Sequence, residues 1–93
     1  MILDKFQTPV ERAKNIAARE KKKRKQKKIT QKELSEKTGI SLGSVKRFEQ
    51  TGEISFVSLL RIADVLGETG EFDNLFCSKE YTSIEEDLNE LDK

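Results

Sequence analysis

Apolar residues along this chain recur three and four positions apart, and nowhere do they alternate with the period of two that marks a strand. Val10, Ala13 and Ala17 follow one another at helical spacing, with Ile16 beside them. Thr8-Pro9-Val10-Glu11 supplies the start of that helix: a capping hydroxyl, a proline suited to the first turn and a glutamate for a capping box. The helix is expected to continue into the basic run at 19–28 and to fray near its end. Thr30-Gln31-Lys32-Glu33 is a second capping box and opens helix two, with Leu34 inward and Gly39 as a left-handed stop. Ser41 caps helix three, which turns Val45 and Phe48 inward and ends at Gly52. Ile54 anchors the next loop. Ser55 caps helix four, whose predicted apolar face is Phe56, Leu59, Leu60, Ala63 and Leu66, with Ile62 beside it and Gly67 at its end. A short fifth helix over 71–76 is expected to close the core with Phe72, Leu75 and Phe76. Thr82 or Ser83 then suits the start of a final helix bearing Ile84, Leu88 and Leu91.

Composition narrows what such a fold can do. A chain of 93 residues that is 34% apolar builds one small core and one domain. There is no His, and Cys77 is the single Cys, so neither an internal disulfide nor a zinc site of the usual kind is expected. Cys–His and Ser–His nucleophile pairs are excluded with them. Carboxylate chemistry stays formally open, yet no phosphate-binding glycine loop or pocket-forming constellation is present, so an enzyme is not expected. Nothing indicates a cofactor or a small-molecule ligand. No apolar run has the length of a membrane span, and the N-terminus lacks an apolar signal core. A cytoplasmic protein with no membrane association is the expectation, with Cys77 an unreactive thiol near the end of the core.

The net charge of +1 conceals a strong asymmetry. Residues 1–67 hold sixteen bases and eight acids, a balance of +8; residues 68–93 hold two bases and nine acids, a balance of −7. The run REKKKRKQKK at 19–28 contributes eight of the bases. The first two-thirds suits a polyanion and the rest does not. The expected partition is an N-terminal extension at 1–8, a binding domain at 9–76 with its helix-turn-helix core at 30–51, and an acidic tail at 77–93.

The spacing within 29–66 is that of a helix-turn-helix. A glycine turn makes helices two and three cross steeply, and Leu34, Ile40, Val45 and Phe48 supply bulk at the crossing, with small Ser35 where the helices come closest. Helix three then leaves Leu42, Gly43, Ser44, Lys46 and Arg47 outward or sideways. Helix two offers Thr30, Gln31 and free N–H groups to a phosphate. Each residue has a plainer reading beside the functional one. Arg47 is either a DNA contact or the partner of Glu49 or Glu53. Ser44 is either a contact or a small packing residue. The lysine run is a solvated face of which some members, Lys23 and Lys28 among them, meet the DNA backbone. The acidic tail is a solubilising extension, a partner-binding segment or a cover for the basic helix.

With these residues in place the segment resembles the lambda-repressor-like, or Xre, family of helix-turn-helix proteins. Thr30-Gln31, Glu33-Leu34, Gly39-Ile40-Ser41, Val45, Arg47, Glu49, Gly52 and the Leu59, Ala63, Leu66 helix carry the resemblance, which covers most of 16–76. It implies an all-α, five-helix lambda-repressor-like DNA-binding domain with a C-terminal helix or tail added. It also implies a sequence-specific regulator of double-stranded DNA, a repressor acting as a homodimer on a palindromic operator. In that family the glutamine matching Gln31 contacts the backbone and braces the recognition helix, and residues matching Leu42, Gly43, Lys46 and Arg47 sit in or beside the major groove. The candidate DNA contacts are thus Thr30, Gln31, Ser41, Leu42, Gly43, Ser44, Lys46 and Arg47, with Lys23 and Lys28 from the basic run. Two departures stand out. Glu20 and Lys21 are polar where the family usually has a core aliphatic, and Leu42-Gly43 offers no side-chain hydrogen bonds, leaving a thymine methyl for Leu42 to touch. The run KRFEQTGEISFVSLLRIADVLG with FDNLF, Tyr81 and Ser83-Ile84-Glu85-Glu86 further resembles HipB-like antitoxins, which implies a toxin kinase as an alternative partner.

Overall fold

The computed structural model describes residues 7–78. Five helices follow in order: α1 (Pro9–Gln26), α2 (Gln31–Thr38), α3 (Leu42–Thr51), α4 (Phe56–Leu66) and α5 (Thr69–Asp73). No strand occurs among the described residues, so the fold is the expected all-α, lambda-repressor-like one. The predicted caps are in place. Thr8, Thr30, Ser41 and Ser55 each accept a hydrogen bond from the backbone N–H three residues on. Only at Thr30 does the reciprocal arm of a capping box also form, with Glu33 accepting from the Thr30 N–H at 3.2 Å.

The core is Ala17, Leu34, Ile40, Val45, Phe48, Ile62 and Leu66, with Ile29, Ile54, Leu59 and Val65 packed around it. Helix α3 lies at its centre, against α1 on one side and α2 on the other, and α4 bridges α2 and α5. Gly39, at φ +76°, makes the turn between α2 and α3 in a conformation that costs any residue with a Cβ. Gly52, at φ +81°, has a second constraint. A Cβ there would come within 2.7 Å of the Ala13 carbonyl carbon, so the end of α3 is seated directly on the backbone of α1.

Three predicted apolar faces are corrected. In α1, Ala17 is buried but Val10 and Ile16 are 61% and 38% exposed. Val10 lies in the open first turn, ahead of the Ala13 backbone on which Gly52 packs, and Ile16 lines a groove shared with α4 and α5 instead of the core. In α4, Ile62, Ala63 and Leu66 are the buried positions, and Phe56 at the open first turn is more than half exposed. Helix α5 is displaced two residues towards the N-terminus of the predicted 71–76. Phe72 is half-buried, while Leu75 is 46% exposed and Phe76 fully so. Phe76 adopts φ +62°, and its side chain is fully exposed where it was expected to close the core. Cys77 accordingly is exposed rather than set at the edge of the core. The predicted final helix with Ile84, Leu88 and Leu91, and all but Cys77 and Ser78 of the acidic tail, lie outside the described residues. No helix among the described residues is long and apolar enough to cross a membrane.

Candidate nucleic-acid interface

The outward side of the helix-turn-helix is assembled by a polar clamp on its inward side. Arg24, in the last turns of α1, is 6% exposed. Its Nε and Nη2 donate to the two carboxylate oxygens of Glu49 on α3, each at 2.8 Å, and its Nη1 donates to the Ile29 carbonyl at 2.8 Å. Gln31, at the first position of α2, donates through Nε2 to the same Glu49 at 3.0 Å. One carboxylate therefore ties α1, α2 and α3 together, and the guanidinium fork fixes direction as well as distance.

Burial tends to raise the Glu49 carboxyl, but hydrogen bonds from Arg24, Glu20 and Gln31 outweigh it and hold the group down to about 2. Glu20 behaves oppositely. It is 8% exposed, and as a carboxylate neither of its oxygens would meet a donor. Burial, reinforced by the hydrogen bond to Glu49 and that group's negative charge, pushes Glu20 up to about 9. Glu20 is a neutral acid at pH 7, able to donate to Glu49.

With its inner side held, α3 exposes Gly43, Ser44, Lys46 and Arg47, while Leu42 is half-buried at its first turn. Ser41 caps the helix and donates its own hydroxyl to Ser44 Oγ at 2.8 Å. No heavy atom of the protein lies within 4 Å of the place where a Gly43 Cβ would stand, so packing does not require a glycine at that position. Arg47 pairs with Glu53 just past the end of the helix, and both side chains are about two-thirds exposed. They border a shallow depression of about 290 Å³ together with Ser44, Ile54, Ser55 and Ser58. On α2 the capping box uses the N–H groups of Thr30 and Glu33. Those of Gln31 and Lys32 remain without an intrahelical acceptor, as at any helix start.

The profile of the helix-turn-helix family matches residues 21–72, more than half of the chain. This chain belongs to the helix-turn-helix family. The family is a DNA-binding one, and the protein is a DNA-binding regulator of lambda-repressor-like fold. No curated protein and no solved structure matches it.

Within this helix-turn-helix protein the expected contact residues do not all gather on one surface. Thr30, Gln31, Ser41, Leu42, Gly43, Ser44, Lys46 and Arg47 belong to α2, α3 and their caps. Lys28 stands beside them in the α1–α2 turn, at the unusual φ of +58°. Lys23 is elsewhere: its ammonium is 2.6 Å from Glu68 at the rim of a groove between α1, α4 and α5. That hydrogen bond raises the Lys23 pKa. The half-buried Gln31 turns its amide inward onto Glu49, which is the bracing arrangement that the family resemblance implied. Arg24 and Glu20 escape a reading by charge, since Arg24 sits in a run of eight bases. Their signal is phase: Ala13, Ala17, Glu20 and Arg24 recur at helical spacing on one face.

Proposed function

We propose that this regulator reads a specific duplex sequence through α3 and represses transcription as a homodimer on a palindromic operator. The observation that carries the reading is the Arg24–Glu49–Gln31 clamp. It ties the inner side of α3 to α1 and α2 through Glu49 and leaves Gly43, Ser44, Lys46 and Arg47 exposed along the outer one. Phosphates dock at the α2 N-terminus, on the N–H groups of Gln31 and Lys32, with Thr30, Ser41 and Lys28 alongside. Lys46 and Arg47 reach base edges, and Leu42 meets a thymine methyl. Lys23, engaged by Glu68, contributes less than Lys28 to backbone contact. Residues 9–76 form the DNA-binding unit, and the protein works in the cytoplasm.

One helix-turn-helix reads few base pairs, and two copies about 34 Å apart on the duplex supply the missing selectivity. The face beside α5 suits that pairing. A groove of about 430 Å³ is walled by Ile16, Leu59, Ile62, Leu66, Phe72 and Leu75, and the exposed Phe76 follows α5 in the chain. The same exposed apolar face favours a second reading, in which a toxin kinase occupies it as in HipB-like antitoxins.

Selection of the full-length protein against a random duplex library, with the recovered complex sized in solution, tests the reading. A palindromic site bound by two copies is the expected result. Failure to enrich any sequence overturns it.

A further inference from the structure

We propose that Glu53 is a specificity-determining positioning residue that orients the Arg47 guanidinium for base reading. The proposal rests on the DNA-reading function given above. Arg47 lies on the exposed side of α3, and its Nη2 donates to a Glu53 carboxylate oxygen. An ion pair this exposed contributes little to folding, so the fold gives no reason for it. The backbone that carries Glu53, in contrast, is closely held against the turn of α3 that carries Arg47. Thr51 Oγ1 donates to the Arg47 carbonyl at 2.7 Å and accepts from the Glu53 N–H at 3.1 Å. Gly52, between them, is pressed onto the α1 backbone with no room for a Cβ. Residue 53 thus has no slack relative to the helical turn that carries Arg47.

A long arginine side chain on a solvated surface loses considerable rotamer freedom when it docks on a base. Glu53 removes part of that freedom beforehand by holding one N–H of the fork. The remaining N–H groups keep a fixed plane suited to two acceptors on a single base edge, the pattern guanine presents in the major groove. The same carboxylate, facing the duplex, repels phosphates whatever the sequence. It also competes with them for Arg47. Both effects act in one direction, lowering non-specific binding while favouring the base contact.

The test uses the full-length protein, the duplex recovered from the random library and its single-base-pair variants. E53Q and E53A are expected to reduce discrimination at the base pair that R47A also relaxes, by about fivefold or more. They are also expected to strengthen binding to unrelated duplex and steepen its salt slope by about one. In the R47A background E53Q should leave base preference unchanged. Unaltered discrimination by E53Q and E53A overturns the proposal while the DNA-reading function stands. A wild-type protein with no sequence preference overturns both.

Discussion

Lys28 shows how a single residue can carry a cost that its neighbourhood explains. It follows the C-cap of α1 at φ +58°, where glycine or asparagine is usual and a long side chain costs about 1 kcal/mol. A cation beside the α2 N-terminus suits a phosphate docked there. Lys28→Gly is therefore expected to raise stability by up to about 1 kcal/mol in urea melts while weakening DNA binding and flattening its salt slope by about one. A variant that loses stability would remove the strain argument. Glu20 carries a different cost, visible as a function of pH. Its folded carboxyl sits at about 9, above its ordinary 4.5, so the native state holds the extra proton between those values. Stability from this group is full below pH 4.5 and falls as pH rises towards 9, by at most about 1.4 kcal/mol per pH unit. Glu49, held at about 2, acts oppositely: its contribution is present above 4.5 and lost as pH falls towards 2. Glu20→Gln keeps a donor for Glu49 without a titrating proton. Its thermal unfolding should lose the decline between pH 5 and 9 while retaining the acid one. Parallel wild-type and variant curves would refute the assignment.

Among the elements, the junction of α1 with α3 decides whether the recognition helix is placed at all. Gly52 seats the end of α3 on the α1 backbone, and Arg24 bonds Glu49 one turn earlier. Removing one member of a buried pair strands the other charge, so Arg24→Ala is expected to cost about 3–5 kcal/mol. Lys22→Ala and Lys25→Ala, exposed members of the same basic run, should stay within about 0.5 kcal/mol of wild type. Denaturant titration of the three variants separates them; equal small losses would mean that the clamp holds nothing. This junction also marks the limit of reading by composition. Four helices were legible from hydroxyl caps, glycine stops and apolar spacing, because those are local signals. Arg24 was not, since charge alone does not distinguish it from its lysine neighbours. The orientation of α1, set by Ala17 against the core, turns that position inward. Helix α5 was the least legible: five residues hold little periodicity, and the turn at Phe76 reverses the expected burial.

At the scale of the whole molecule, apolar surface is left over. Leu75 and Ile16 line the groove between α1, α4 and α5, and Phe76, the next residue in the chain after Leu75, is fully exposed. Because Phe76 has no buried contact within the protomer, Phe76→Asp should leave the chain folded, its unfolding midpoint falling only by what loss of dimer association removes. If the proposed homodimer forms through this face, Phe76→Asp should also shift it to a monomer in sedimentation and weaken binding to a palindromic duplex far more than to a half-site. A dimer that persists with Phe76→Asp and with Leu75→Asp would place the interface on another face. The charge asymmetry belongs to this scale as well. The excess of bases in 1–67 favours association with a polyanion at long range, an effect that salt should screen.

The sequence by itself determined the first four helices and the family. Caps at Thr30, Ser41 and Ser55, the glycine at 39 and the apolar spacing of Leu34, Val45, Phe48 and Leu66 act over one or two turns. They specify a helix-turn-helix whatever surrounds it. It also identified the outward residues of α3, because inward and outward alternate with a known period. Tertiary structure alone decided what the polar side chains of α1 and α3 meet. Arg24 became an internal strut, Glu20 a neutral acid, Lys23 the partner of Glu68 and Arg47 the partner of Glu53. These outcomes depend on contacts between groups six to forty-five positions apart, and on burial, which changes the energy of a charge far more than sequence neighbours do.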